Sequence, residues 1–428
     1  MDNISKGEQM LQWAKDLFPL CRSLTGQGTL DTLNYFKDIN PELEILSFNT
    51  GEQIFDWQVP NEWNIRDAFL EHESGQRVAE FKNNNLHLLG YSKPIDEVFD
   101  REDILDHIFS LPAQPERIPY VTSYYSERWG FCMSHTDKLR LPAGKYRVFV
   151  DSDLKPGKLN LAHALLKGRK KKEIFFSSYV CHPSMANNEL SGPVLLSALM
   201  QYVKSRYPDP SFSYRFVLHP ETIGSIAYLS RYYKDLKDTV HCGFNLSCVG
   251  DERAYSHVQS RFGNNSADKA LKAALLKKDN TRTYSFLERG ADERQYCAPG
   301  IDLPLCTFCR SKYGQYPEYH TDADNFEVVT AKGLAGSFNV MKSIIDAYEL
   351  GEYPATRILC EPQLGKRNLY PNLSIKGESV VRQRMDFLAY ADGNTSIFEI
   401  ASITGWPLSE IIEEYRICQS HNLIDASS

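Results

Sequence analysis

No stretch of this chain stays apolar for the roughly 18 residues that a membrane-spanning helix needs, and no signal-like apolar run stands at its N-terminus. Those absences predict a cytoplasmic protein with no membrane partner. Cysteine occurs 10 times, yet without the paired spacing of a disulfide framework. Cys306-Thr307-Phe308-Cys309 does have CxxC spacing, but it falls inside a predicted strand with no second pair nearby, so buried free thiols are expected. Positive charge is also short: Lys and Arg number 48 against 55 Asp and Glu, a net charge of -7 that argues against a general nucleic-acid binder.

What is present is enough apolar side chain, 42% of 428 residues, to bury a full core spread over two or three domains. Apolar residues recur at helical spacing from Met10 to Phe18, and the turn Thr25-Gly26-Gln27-Gly28 precedes a second helix. Residues 52–145 change character to short strands rich in Pro and aromatics and read as a small β-rich domain inserted into the main one. From Tyr146 onward strands and helices alternate, with strands expected at Tyr146–Asp151, Leu159–Ala164, Ile174–Cys181, Tyr214–His219, Cys242–Val249 and Pro304–Arg310. Helices are expected after Leu190, Gly224 and Ala267 and over Val328–Tyr348. That alternation predicts an α/β domain, residues 1–51 and 146–361, with a mixed, mostly parallel sheet covered by helices on both faces. The basic run Lys167–Lys172 reads as a solvated hairpin turn, not a nucleic-acid patch. Beyond a Pro- and Asn-containing linker, residues 362–428 carry the helix, turn, helix and short strand of a winged-helix-like domain. Its acidic balance predicts a packing or protein-contact role, because phosphate would be repelled.

Three strand ends hold chemistry. The apolar run Phe175–Val180 leads into Cys181-His182-Pro183-Ser184 and then Asn187-Asn188-Glu189-Leu190-Ser191-Gly192. Phe216-Val217-Leu218-His219 hands over to Pro220-Glu221-Thr222-Ile223-Gly224, and Tyr313–Asn325 is a loop dense in Tyr, His and acids. Crevices at strand ends of open α/β sheets collect ligand sites, and imidazoles with carboxylates are what zinc prefers.

The segments at His182, Glu221 and His320 resemble the zinc aminopeptidase superfamily that also contains glutamate carboxypeptidase and glutaminyl cyclase. More closely, nearly the whole chain resembles bacterial polysaccharide-biosynthesis proteins with an aminopeptidase-like domain, an inserted small domain and a C-terminal winged helix. The resemblance aligns the superfamily's first His with His182, its Asp-Asn-Ala-Ser-Gly turn with Asn188-Glu189-Leu190-Ser191-Gly192, its Glu-Glu pair with Glu221-Thr222 and its last His with His320. Three acids of the usual two-zinc site are therefore replaced, at Asn188, Thr222 and Ser247. One ion remains expected, held by His182, His320 and a carboxylate, with Glu189 favoured and Asn188 or Asp251 as alternatives. The resemblance makes Glu221 the general base. A strand-end salt bridge of Glu221 with Arg253 or Arg294 is the structural alternative. Asp292, Arg294 and Tyr319 become substrate-binding candidates: Arg294 to clamp a carboxylate, Asp292 to orient a histidine or an amine, Tyr319 to donate to a developing oxyanion.

The resemblance thus implies a single-zinc aminopeptidase-like metallopeptidase or amidohydrolase in surface-polysaccharide biosynthesis, acting on a small-molecule, short peptide or amide substrate. Loss of three acids supports a rival, a non-catalytic binding scaffold that keeps the fold. A third reading, a ligand-sensing regulator, is opposed by the acidic C-terminus. A homo-oligomer stays open.

Overall fold

The structure, a computed structural model, describes residues 3–370 and 374–425. Residues 371–373 of the expected linker, and 426–428, lie outside the described residues.

Eight strands form the main sheet: β1 (Glu44–Asn49), β2 (Lys158–Leu166), β3 (Glu173–Tyr179), β4 (Ser213–His219), β5 (Val240–Leu246), β6 (Tyr255–Val258), β7 (Thr281–Tyr284) and β8 (Leu305–Cys309). Their spatial order is β1-β2-β4-β3-β5-β8-β6-β7. The central four, β4-β3-β5-β8, run parallel; on one flank β2 runs antiparallel to β4, and β1 antiparallel to β2. On the other flank β6 runs antiparallel to β8 and parallel to β7. β3, β4 and β8 are buried at every position, which is what helices on both faces of a parallel sheet produce.

Successive residues on these strands serve opposite cores. Phe176, Phe216 and Phe244 join Met10, Leu195 and Met341 from the helices Asn3–Leu17, Ser191–Arg206 and Ala331–Leu350. Phe175, Val217 and Leu305 face the helix Ile223–Thr239, through Ile226 and Leu229, in a core shared with Trp63, Tyr146 and Val148.

The strand expected over Tyr146–Asp151 does not belong to the main sheet. It lies within the strand Lys145–Lys155, which pairs antiparallel with Glu62–His72 and Ile95–Asp100 in a separate four-stranded sheet. Its burial alternates residue by residue from Lys145 to Asp151, the period of a sheet wet on one face, whereas the main strands are buried on both. The Lys167–Lys172 run is not a hairpin turn either, since β2 and β3, which it joins, are separated by β4.

At the C-terminus, the helices Ser374–Tyr390, Ile397–Thr404 and Leu408–Ser420 pack together through Phe387, Ile400, Ile411 and Tyr415. Ser396 and Glu399 form a capping box, and Gly405 ends that helix at φ 72, a conformation glycine adopts without a Cβ clash. The expected strand at His421–Ile424 is reduced to one bridge, Ile424 with Thr356, beside a second between Ala355 and Asp392.

Candidate functional site

The C-terminal ends of the parallel strands bring His182, Glu221 and His320 together. The loop after β3 carries His182, 3% exposed, and its Nδ1 lies 2.7 Å from Glu189 Oε2. Glu189 sits in the buried turn Ala186–Leu190 that opens the helix Ser191–Arg206. Behind it stands Arg22, whose Nε donates to the His182 carbonyl at 3.0 Å and whose Nη1 donates to Leu17 at 2.6 Å. Arg22 Nε is also 3.8 Å from Glu189 Oε1, with neither side chain exposed. The result is a dry chain from Arg22 through Glu189 to His182. Burial pushes Glu189 up to about 8, and Arg22 pulls it back only in part because its fork is aimed at the two carbonyls. Burial, then Arg22, hold His182 down at about 3, so its imidazole is uncharged at neutral pH.

On the opposite nitrogen, His182 Nε2 is 3.6 Å from Glu221 Oε2, and Arg294 Nη2 is 3.9 Å from Glu221 Oε1. Glu221 is held by a strained turn. Thr222 has φ 64 and ψ -74, and the Ile223 amide donates to the Glu221 carbonyl at 2.8 Å, the rare positive-φ γ-turn, costly for a β-branched residue. Asp292 Oδ1 fastens that turn by accepting from the Thr222 amide at 2.8 Å and Ser225 Oγ at 2.7 Å. Arg294 adds a hydrogen bond to Thr222 Oγ1. Burial raises Glu221 well above the ordinary carboxylate range, Asp292 adds to this, and Arg294 opposes it.

His320 is itself at φ 56, and its buried Nε2 has no hydrogen-bond partner among the described residues. Tyr319 stacks on it at 3.9 Å between ring centroids, and the His182 ring is 5.4 Å away. Burial, then His182, push His320 down to about 3. Ser184 and Cys248 share the positive φ of Thr222 and His320, so the loops after β3, β4 and β5 and the loop of His320 each hold a strained non-glycine residue.

The segment before the helix His135–Leu139, part of the expected insertion, closes the site from above. Tyr120 donates its amide to the His320 carbonyl at 2.9 Å, and its ring lies 5.1 Å from each of the His182 and His320 rings. Its hydroxyl is bonded to that of Tyr124. Ile118 and Asp322 exchange hydrogen bonds beside it.

Several expected roles change. Glu189 faces His182 Nδ1 across a hydrogen-bond distance, the placement of a carboxylate that orients an imidazole, and it lies with His182 and Cys181 in a group close enough to hold an ion, without His320. Asp251 is consumed by Asn187, Arg253 and Ser311. Asn188 Oδ1 accepts from Tyr179 OH at 3.1 Å, and that hydroxyl is 2.6 Å from Ser247 Oγ, a closed neutral network where the replaced acids would have stood. Asp292 is wholly buried and cannot touch a substrate. Glu221, Arg294, Tyr319 and His320 are all partly exposed, so a substrate would meet them. Arg22 and Tyr120 were missed, although the aromatic run Tyr120-Val121-Thr122-Ser123-Tyr124-Tyr125 was a visible signal in the sequence.

Bonds of about 2.0–2.2 Å to zinc require ligand atoms within about 4 Å of one another. Among the described residues, the group here whose possible ligand atoms all lie within 4.8 Å of each other is Cys181, His182 and Glu189, without His320. The expected triad of His182, Glu189 and His320 therefore does not fit an ion. His182, Glu221 and His320 do not form such a group either; the His320 Nε2, which has no partner among the described residues, and the His182 Nε2, backed by Glu189 at the other nitrogen, are the imidazole atoms left to offer to an ion beside Glu221.

The sheet order and these strand-end loops define an aminopeptidase-like α/β fold. A zinc aminopeptidase from Bacillus subtilis shares the architecture at TM-score 0.56 and 12% identity over 79% of this chain and 93% of that one, which speaks for the fold alone. Residues 11–351 match a domain of unknown function, DUF4910, and residues 352–426 match a winged helix-turn-helix. The chain belongs to the DUF4910 family. A Clostridium acetobutylicum protein, provisionally named a polysaccharide biosynthesis protein with aminopeptidase-like domain, is 36% identical over 412 residues, 95% of this chain and 93% of its own length. A crystal structure from the same organism, provisionally described as a peptidase, aligns over 99% of this chain and 97% of that one, at TM-score 0.89 and 34% identity. No helix among the described residues is long and apolar enough to cross a membrane.

Proposed function

We propose that the chain is a metal-dependent hydrolase of an amide or peptide bond, with Glu221 handling the proton and His182 and His320 offering Nε2 atoms to a single divalent ion, zinc by preference. The observation that carries this reading is a partly exposed carboxylate, Glu221, held by a strained turn 3.6 Å from His182 Nε2. Strain of that kind persists only where the surroundings over-determine it, and Asp292 and Arg294 do so here.

An ion bound by the two imidazoles supplies Lewis acidity toward a carbonyl oxygen and the attacking water. Glu221, raised by burial, is suited to accept the proton of that water and pass it to the leaving nitrogen. Glu189 and Arg22 keep the His182 ring oriented. Arg294, 39% exposed at the side chain, is available to pair with a substrate carboxylate, and Tyr319 to donate to the developing oxyanion. Two protein ligands instead of three imply a weakly held ion. The name of the C. acetobutylicum relative supports a setting in polysaccharide biosynthesis, with an acylated amino sugar or aminoacyl conjugate as substrate.

The test is turnover of a panel of aminoacyl amides, short peptides and N-acyl amino sugars by zinc-supplied protein and by Glu221→Gln. Zinc-dependent turnover lost in the variant supports the reading, and equal turnover in the two removes Glu221 as the base. The closed Tyr179–Asn188–Ser247 network favours a second reading, a binding scaffold without catalysis. Absence of turnover across the panel would favour that one.

A further inference from the structure

A groove of about 650 Å³ opens between β6, the turn Lys277-Lys278-Asp279-Asn280 and the helix Ala331–Leu350, and it includes none of the histidine-site residues. An adjoining groove of about 460 Å³ shares Lys277, Lys278 and Asn339 with it and continues to Ser409 and Arg416 of the last helix. Volumes of this size are those of small-molecule sites.

The groove is built around a buried cation. Arg310, 4% exposed, follows β8 and lies 3.7 Å from the ring centroid of Tyr255. Its Nε donates to the Ala254 carbonyl at 2.6 Å and its Nη1 to the Gly333 carbonyl at 3.4 Å. No carboxylate forms an ion pair with it among the described residues, since nearby Glu252 pairs with Lys332, and a guanidinium has five N–H donors, so part of its fork remains unanswered. Gly336 makes the space. A Cβ there would come within 2.6 Å of Arg310 Nη1 and 2.8 Å of Tyr255 OH. Glycine inside a helix is otherwise unfavourable.

The positive charge continues outward. Lys277 and Lys278 are exposed, and among the described residues their close partners are the Trp406 and Tyr255 rings, not acids. Lys277, Lys278, Arg310 and Lys332 line the groove against the acids Glu252 and Asp279, a local excess of positive charge in a chain of net charge -7. A dianion with several acceptor oxygens matches an Arg fork flanked by lysines better than a single carboxylate does.

We propose that this groove binds a phosphorylated small molecule, its phosphate on Arg310 and Lys278 and its organic part extending past Lys277 toward Arg416. Such a ligand would touch both the sheet domain and the C-terminal helices, and its binding is independent of whether the histidine site hydrolyses anything.

Isothermal titration of the full chain with glucose 6-phosphate, ADP, inorganic phosphate and citrate at constant ionic strength tests this. The expected result is saturable binding of at least one organic phosphate, tighter than inorganic phosphate or citrate. That affinity should fall about tenfold or more in Lys278→Ala and in Gly336→Ala. Arg310→Met should abolish it. Lys278→Ala alters only an exposed side chain, so it keeps the test valid if Arg310→Met does not fold, and equal ligand-free thermal midpoints certify the comparison. No saturable binding of either organic phosphate, binding no tighter than that of inorganic phosphate or citrate, or unchanged affinity in Lys278→Ala would overturn the proposal.

Discussion

Replacing Arg22 by Met should destabilise the protein, and by an amount that grows with pH. The guanidinium holds two buried carbonyls, of His182 and Leu17, and stands 3.8 Å from Glu189. Methionine refills much of the stem volume but leaves the His182 carbonyl without a donor and the Leu17 carbonyl with only the Leu20 amide, so the loss near pH 6.5 is about 2 kcal/mol. Glu189 supplies the pH dependence. Its folded value of about 8 lies above its ordinary 4.5, so the folded state binds more protons between those values and stability falls as pH rises through the window. Arg22 is the group that lowers Glu189, hence its removal pushes the carboxyl higher and extends the loss upward. Each pH unit above about 8 then adds up to roughly 1.4 kcal/mol to the gap between parent and variant. Urea unfolding of both proteins at pH 6.5 and pH 9 measures this, with Arg22→Met/Glu189→Gln as the control in which the growth with pH should vanish. A gap under about 1 kcal/mol at pH 6.5, or one that does not widen by pH 9, would refute the reasoning.

Glu221→Gln should leave folding and metal content unchanged and lower turnover by about a hundredfold or more, read as initial rates with zinc present. Tyr120→Ala should cost about 3 kcal/mol and weaken metal retention during dialysis, because the ring covers both histidines, whereas Tyr120→Phe, which loses only the hydroxyl pair with Tyr124, should cost under about 1 kcal/mol in the same urea assay. Ser247→Asp should destabilise metal-free protein by about 2–3 kcal/mol, since the new carboxylate would be buried against Tyr179 with no cation facing it, and an unchanged urea midpoint would contradict the closed network.

The buried parallel strands were legible because Ile174-Phe175-Phe176 and Phe216-Val217-Leu218 place apolar residues consecutively, the mark of strands covered on both faces. The small-sheet place of Tyr146–Asp151 was not legible because its alternation is blurred in the sequence Tyr-Arg-Val-Phe-Val-Asp, which puts Phe149 on the wetter face. His182, Glu221 and His320 converge because strand ends do, and the resemblance supplied their order. Glu189 stands one residue from the replaced acid, but which imidazole nitrogen a carboxylate meets depends on the local turn, here Ala186–Leu190. Arg22 lies 160 residues from the carbonyl it binds, and Tyr120 is 200 residues before His320, so no local periodicity links either of them to the site.

The central claim is that His182 and His320 hold one divalent ion next to Glu221. Elemental analysis of protein purified without chelator and briefly equilibrated with zinc, set beside His182→Ala and His320→Ala, tests it most directly. The account predicts about one zinc per chain in the parent, removable by dialysis against chelator as a two-imidazole site implies, and none in either variant. Equal zinc in parent and variants, or none in the parent after equilibration, would contradict it.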